Sequence, residues 1–311
     1  LLGACYDCLS RISLNKYNQT LSISQSPITT RIFTHSLGRT VIPTKPQRII
    51  ALDDSVILDP LLALGIKPIG ATSYWQEKDI KFRGLSADQS TDIELVGSIN
   101  QPSLEKILML KPDLILAREG NITLYNLLAK IAPTVIVDRS KFEDSFKDNF
   151  RFVAQVLGKE EKARQVLEQY QKRVAELQKQ IKEQLKKIKV SVIGYNYSGK
   201  DLFFVSNLTV VHNQVLTDVG IRHLPIIENQ KDYSLTLSIE ALYKYDADII
   251  FVINYARTPL SHYLQHPLWA SLKAVKNKRV YEVKPDVWAS FGPLGANRIL
   301  DDLFKYLVNK P

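Results

Sequence analysis

The sequence predicts an α/β protein of two Rossmann-like lobes, each built on a parallel central sheet, bridged by one long helix. Three observations lead there. The stretch SLEKILMLKPDLIL (Ser103–Leu116) returns later as SIEALYKYDADIIF (Ser238–Phe251), with Ser103/Ser238, Glu105/Glu240, Asp113/Asp248 and Ile115/Ile250 in register. Short continuous apolar runs alternate with helical patterns, as expected of strands covered on both faces. Finally, Lys159–Lys187 contains neither Pro nor Gly and carries one narrow apolar stripe of Val166, Tyr170, Val174, Leu177, Ile181 and Leu185.

In chain order, residues 1–34 are expected to be a flexible tether, because 9–34 are rich in Ser, Thr, Asn and Gln. An N-terminal lobe fills 35–158. It opens with a short strand pair in Thr34–Pro43, then strand Arg48–Leu52 and helix Ser55–Leu64 ended by a glycine cap at Gly65. Strand Lys67–Ala71 follows, then a long polar-aromatic loop, Thr72–Gly97. In the first repeated unit Ser103 caps a helix with Leu104, Ile107, Leu108 and Leu110 at helical spacing. Lys111-Pro112 breaks it before strand Leu114–Ala117. Helix Thr123–Ile131, strand Thr134–Val137 and helix Phe142–Leu157 complete the lobe. The bridging helix takes 159–188. The C-terminal lobe, 189–311, starts with strand Val190–Gly194. Its Gly220-Ile221-Arg222 echoes Gly65-Ile66-Lys67. The second repeated unit and strands Ile249–Ile253 and Val280–Val283 follow.

Composition narrows the function. A chain of 311 residues with 45% hydrophobic content can form two domains with substantial cores. The net charge of +9 is concentrated in Lys159–Lys189, where it reads as a solvated helix face, and no nucleic-acid partner is expected. The protein is expected to be a monomer, with the stripe of the long helix packed on its own lobes. The two cysteines, Cys5 and Cys8, lie outside the predicted lobes. No apolar run reaches the roughly 18 residues of a membrane span. No dinucleotide-binding glycine pattern follows the first strand, and neither a phosphate-binding loop nor a GxSxG nucleophile elbow occurs, so no enzyme is expected. Asp53-Asp54 lacks the phosphate-binding loop of a magnesium site. The five histidines are scattered except for His262 and His266, so neither a metal site nor a cofactor is expected.

In open parallel sheets, ligands bind beyond the carboxyl ends of the strands. Those ends carry Asp53-Asp54, Tyr74 and Trp75, Arg118, Asp138-Arg139, Tyr195, Tyr255 and Arg257, and Trp288. Arginine forks hold carboxylates and chelating oxygens, and aromatic faces hold planar or cationic groups. The candidate binding residues are Trp75, Arg118, Tyr195, Tyr255, Arg257 and Trp288, with Arg118 and Arg257 facing each other from opposite lobes. Arg83, Arg139 and Arg298 are further candidates.

The segments PQRIIALD, LLALGIKPIG, SLEKILMLKPDLILA, SIEALYKYDADIIFV, HPLWASLKAVKNKRVYEV and VWASFGPLGANRILDDL together resemble the substrate-binding proteins of ABC importers for ferric siderophores, haem and cobalamin. The resemblance spans Val41–Val308. It implies two α/β lobes on a helical backbone, a ferric siderophore as ligand, and delivery to an ABC permease for iron uptake. The alternative is a haem- or cobalamin-binding component of a related importer. The resemblance also implies docking through one acidic residue per lobe onto a two-fold permease dimer, which matches Glu105 and Glu240. Leu2–Cys5 (LGAC) resembles a lipobox, in which Cys5 would be lipidated and hold the protein at the outer face of the cytoplasmic membrane or in the periplasm.

Overall fold

The structure is a computed structural model that describes residues 29–74, 82–142, 145–185, 187–195, 202–206, 210–224, 234–255 and 258–308. Cys5, Cys8, Trp75 and Arg257 lie outside the described residues. The chain enters through an antiparallel hairpin, β1 (Thr30–His35) and β2 (Gly38–Pro43). The boundary expected at 34/35 therefore falls inside a strand.

The first sheet contains β3 (Ile49–Ala51), β4 (Gly70–Ser73), β5 (Glu94–Ser98), β6 (Leu114–Arg118) and β7 (Thr134–Val137). Its order is β5-β4-β3-β6-β7, with every neighbouring pair parallel. Strand order reverses about β3, so a crevice opens beyond the ends of β3 and β6. The second sheet contains β8 (Lys189–Tyr195), β9 (Leu202–Ser206), β10 (Arg222–Leu224), β11 (Ser234–Ser238), β12 (Ile249–Asn254) and β13 (Val280–Val283). Its order is β11-β9-β8-β12-β13, and β10 also pairs with β8. Here the expectation of a parallel sheet needs one correction, because β9 runs antiparallel to both β8 and β11. Tyr195 and Leu202 are too close in the chain for a parallel crossover, which needs about a dozen residues or more.

Six helices position the site: α1 (Leu58–Ala63), α2 (Leu104–Met109), α3 (Phe146–Leu157), α4 (Glu160–Gln180), α5 (Val211–Val219) and α6 (Pro293–Leu303). Gly65 (φ 78°) and Gly220 (φ 76°) take the left-handed conformation that ends α1 and α5, as their matched sequence positions predict. Among the described residues, no helix is long and apolar enough to cross a membrane.

The two repeated units occupy equivalent places. Each precedes the strand that pairs with its lobe's first strand, β6 beside β3 and β12 beside β8. The shared aspartate explains part of the repeat. Asp113 donates its backbone N–H to Arg48 O (2.9 Å) and accepts Arg48 N–H on its carboxylate (2.9 Å). Asp248 does the same at Lys189, at 3.0 and 2.8 Å. Each aspartate thus fixes the start of its lobe's first strand. The helical part differs, being α2 in the first copy and a 3-10 helix, Ile239–Tyr245, in the second.

The long helix α4 buries Ala163, Leu167, Tyr170, Val174 and Leu177, while Val166 remains half-buried. Tyr170 packs edge-on against Phe146 of α3 and donates its hydroxyl to Asp218 of α5 at 2.7 Å. Burial, followed by the charge of Asp218, raises the Tyr170 pKa, so the phenol remains a donor.

A second helix ties the lobes together. The carboxylate of Asp59, in α1, accepts the N–H groups of Leu294 (2.9 Å) and Gly295 (2.8 Å) at the start of α6. A Cβ on Gly292 would lie 2.3 Å from the Asp59 carboxyl carbon, and one on Gly295 would lie 1.8 Å from Ser290 Oγ. The FGPLGA segment is therefore built around a carboxylate from the other end of the chain. Arg298 of α6 adds a hydrogen bond to Gln89 Oε1 at 2.8 Å. The bridging helix expected from the sequence is α4, and α6 spans the lobes beside it.

Asp59 is fully buried, and burial pushes its pKa up to about 7, against the opposing pull of the Leu294 and Gly295 N–H groups and Arg298. A carboxyl whose folded pKa is raised contributes stability that is fully present below its ordinary value of 3.8 and lost as pH rises through about 7. The stability advantage of the wild-type protein over Asp59→Asn should therefore shrink by something on the order of 4 kcal/mol between those limits. Thermal unfolding of both proteins across this range checks it, and an advantage independent of pH would mean that Asp59 stays ionised throughout.

Candidate functional site

The crevice is organised by two adjacent carboxylates at the end of β3. Asp53 and Asp54 are both fully buried. Asp53 Oδ1 accepts Ser55 N–H (2.8 Å) and Val56 N–H (2.7 Å), which turns the chain into the segment before α1. Asp54 Oδ2 accepts Tyr74 N–H (3.0 Å) and Arg83 N–H (3.2 Å). Its Oδ1 takes Arg83 Nε (2.9 Å) and Nη2 (2.7 Å). Asp54 thereby holds both Tyr74 and Arg83 at the end of β3, with Arg83 Nη2 also 3.5 Å from Asp53 Oδ1. Burial opposes the charge of Arg83, but Asp54 and Asp53 more than offset it and raise the guanidinium's pKa. The Arg83 guanidinium lies over the Tyr74 ring, 4.5 Å from its centroid.

Arg118, at the end of β6, approaches the other oxygen of Asp53, with Nη1–Oδ2 at 3.5 Å. Its backbone N–H is held by Asn121 Oδ1 at 3.3 Å. Gly120 gives the side chain room, because a Cβ there would lie 2.7 Å from Arg118 Nη2. Arg139, beyond β7, pairs with Glu119 at 3.2 Å and reaches the C-terminal part of the chain, 4.7 Å above the Phe291 ring.

The opposing wall is aromatic. Trp288 is buried, stacks obliquely on Phe251 at 4.8 Å and donates its indole N–H to Asp302 Oδ2 at 2.8 Å. Burial raises the Asp302 pKa, with the Trp288 hydrogen bond opposing it. His212 Nδ1 lies 2.8 Å from Trp288 O. Because a carbonyl only accepts, Nδ1 carries the proton. Tyr255 is half-buried beside Phe204, 5.7 Å between centroids.

These walls enclose a cavity of about 480 Å³ between the lobes, lined by Tyr74, Arg83 and Arg139 on one side and by Phe204, His212, Tyr255, Trp288 and Phe291 on the other. A wider depression of about 1070 Å³ lies on the outer flank between α3 and α4. Arg151 there pairs with Asp148 (2.6 Å) and Arg164 with Glu161 (2.7 Å) within their own helices, and among the described residues no strand end lines it.

Of the residues expected at the cleft, Tyr255 and Trp288 line the cavity. Arg118 stands behind it on Asp53 and is not among its walls. Tyr195 is placed elsewhere: it is 2% exposed in the outer core of the C-terminal lobe, accepts Trp269 Nε1–H at 2.6 Å and stacks on Tyr263 at 4.0 Å. The reason is strand alternation. Tyr195 pairs with Asn254, so it faces the side opposite to Tyr255. Trp75 and Arg257 fall outside the described residues. Arg298 bonds Gln89 away from the cavity. Sequence reasoning left Arg83 and Arg139 in second place and missed Phe204, His212 and Phe291. The signal for Arg83 was Asp53-Asp54, a buried acidic pair that requires a cation.

The family described as periplasmic binding protein matches residues 49–287. Two proteins of Bacillus subtilis (strain 168) are similar along nearly the whole chain. The probable siderophore-binding lipoprotein YfiY is 30% identical, over 95% of this chain and 94% of its own. The Fe(3+)-citrate-binding protein YfmC is 31% identical, over 100% of this chain and 96% of its own. Among solved structures, Staphylococcus aureus SirA complexed with staphyloferrin B superposes with a TM-score of 0.74 at 30% identity, covering 89% of this chain and 98% of that one.

Proposed function

The chain belongs to the periplasmic binding protein family, and from that premise we propose that it captures a ferric siderophore between its lobes and delivers it to an ABC permease. It is a binding protein, not an enzyme. The observation that carries the ligand reading is the cavity itself, which sets two arginines of one lobe against an aromatic wall of the other. A siderophore satisfies iron with its own oxygens, so the protein needs to recognise only the outside of the complex. Arg83 and Arg139 suit its anionic oxygens, and Tyr255 and Trp288 suit its planar groups. Arg118 supports Arg83 through the shared Asp53. Trp75 and Arg257 remain proposed ligand contacts from their places in the sequence. The names of YfiY, YfmC and the SirA complex agree with this ligand class.

Glu105 and Glu240 are exposed and sit early in the two repeated helical segments. Helices feeding parallel strands run back along them, so these first turns lie toward the strand ends at which the cavity opens. The two carboxylates would engage basic groups of a two-fold permease, and lipid on Cys5 would hold the protein outside the cytoplasmic membrane.

Intrinsic tryptophan fluorescence, from Trp75, Trp269 and Trp288, provides the readout for ligand capture. Titration with ferric citrate, a ferric hydroxamate and a ferric catecholate is expected to quench this fluorescence, with micromolar or tighter affinity for at least one of them. Tight binding of haem or cobalamin and of none of the iron complexes would overturn the reading.

A further inference from the structure

The repeated unit contains a second matched feature on the solvent side. Leu108 follows Glu105 by three positions, and Tyr243 follows Glu240 by three. Both are large apolar side chains left open to solvent, Leu108 at 59% and Tyr243 at 69%. In an α-helix residues three apart share a face, and in a 3-10 helix they eclipse. The difference in helix type between the copies therefore leaves the pairing of glutamate and apolar residue intact.

The other matched positions already have structural work. Ser103 caps α2 by accepting Lys106 N–H at 3.3 Å. Asp113 and Asp248 fix the first strands, and Ile115 and Ile250 are fully buried. Leu108 and Tyr243 have no such explanation, since their side chains lie outside the cores that their neighbours Ile107 and Leu242 enter. A single exposed Leu or Tyr is ordinary. Two at equivalent positions, each one turn from an exposed glutamate, form two copies of one compound surface.

We propose that Leu108 and Tyr243 are apolar docking contacts, paired with Glu105 and Glu240, that seat the protein on a two-fold symmetric ABC permease. The partner this surface fits presents, in each half, a basic group beside a shallow apolar socket. The two parts act differently. The glutamates orient the approach through charge, whereas desolvated apolar contacts at the centre of each patch slow dissociation. Met109, 74% exposed on the same short helix, widens the patch on the N-terminal lobe. The inference rests on the permease-docking reading above and adds to it the contacts that hold the complex together.

The test is binding to nanodiscs that carry the permease through which the wild-type protein supports iron uptake. Leu108→Ser/Tyr243→Ser is expected to weaken binding at least tenfold, mainly through faster dissociation, with the loss persisting at high salt. Ligand affinity and melting temperature should be unchanged, because both sites lie on the surface. Glu105→Lys/Glu240→Lys should instead slow association, an effect that salt suppresses. Wild-type binding by the serine double variant, with the lysine double variant impaired, overturns this inference and leaves the docking reading standing. Unimpaired binding by the lysine double variant overturns the docking reading and this inference with it. Self-association of the wild-type protein that the serine changes abolish would also overturn it, since the apolar pair would then serve a second copy of the chain.

Discussion

Arg83→Ala is expected to lower the melting temperature by up to about 10 °C and to abolish ligand capture. Asp54 is fully buried and spends one oxygen on the Arg83 fork, while Arg83 itself is only 13% exposed. Removing one partner of a buried ion pair strands the other charge, at a cost of about 3–5 kcal/mol. Each kcal/mol moves the midpoint of a 150–250-residue protein by about 2–4 °C, and this chain of 311 residues falls at the lower end. Arg118 does not compensate, because it lies against Asp53 and not Asp54. Tyr74 also loses the cation over its ring, although its backbone N–H keeps its bond to Asp54. The companion variant Arg83→Ala/Asp54→Asn should regain most of the stability, since the amide oxygen still accepts backbone N–H groups without a stranded charge. It should not regain ligand affinity if Arg83 touches the ligand. Thermal unfolding and siderophore titration of both variants check this. A single variant that melts like the wild type would show that Asp54 is not held by Arg83.

The lobes were legible because their determinants are local. Apolar runs, the Gly65 and Gly220 caps and the Pro- and Gly-free stretch after Lys159 each act within a few turns of chain, although the long helix expected over 159–188 closes at Gln180. The repeat was legible as well, and Asp113 and Asp248 give it a physical cause. The site was only partly legible, because its contacts join distant segments. Asp53-Asp54 read as a stray acidic pair until Arg83 and Arg118 were brought to it by the loop after β4 and the end of β6. Asp59 carried no visible role, since its partners are N–H groups at the far end of the chain. Tyr195 and Tyr255 both stand at strand ends, and only the register between β8 and β12 reveals that they face opposite sides. The reversed β9 could have been found in the sequence: too few residues separate it from β8 for a parallel crossover.

Glu105→Lys/Glu240→Lys is expected to abolish ligand-driven iron uptake while leaving ligand affinity nearly unchanged. An acidic residue in the first turn of a helix is favoured by the helix dipole, which is a sufficient reason for either glutamate alone. That explanation predicts a small loss of helix stability and no change in transport. The proposed docking gives them a larger role. The glutamates sit in equivalent segments of the two lobes, both are exposed, and neither lines the cavity. The Glu240 carboxyl is held below its ordinary pKa, chiefly by its hydrogen bond with Ser238, so it is anionic at any pH at which uptake is measured. Two separated charges define an axis, and a partner with matching basic groups is thereby oriented as well as attracted. Their spacing also depends on how the lobes sit about α4 and α6, so a partner gripping both could distinguish a loaded from an empty protein. Reversing both charges replaces attraction with repulsion at two points and removes that register, whereas the ligand walls at Arg83, Arg139, Tyr255 and Trp288 are untouched. Growth on the cognate ferric siderophore as sole iron source measures the outcome, with protein level and fluorescence titration as controls. Wild-type growth of the double variant at normal abundance would leave the helix dipole as the only role of these glutamates.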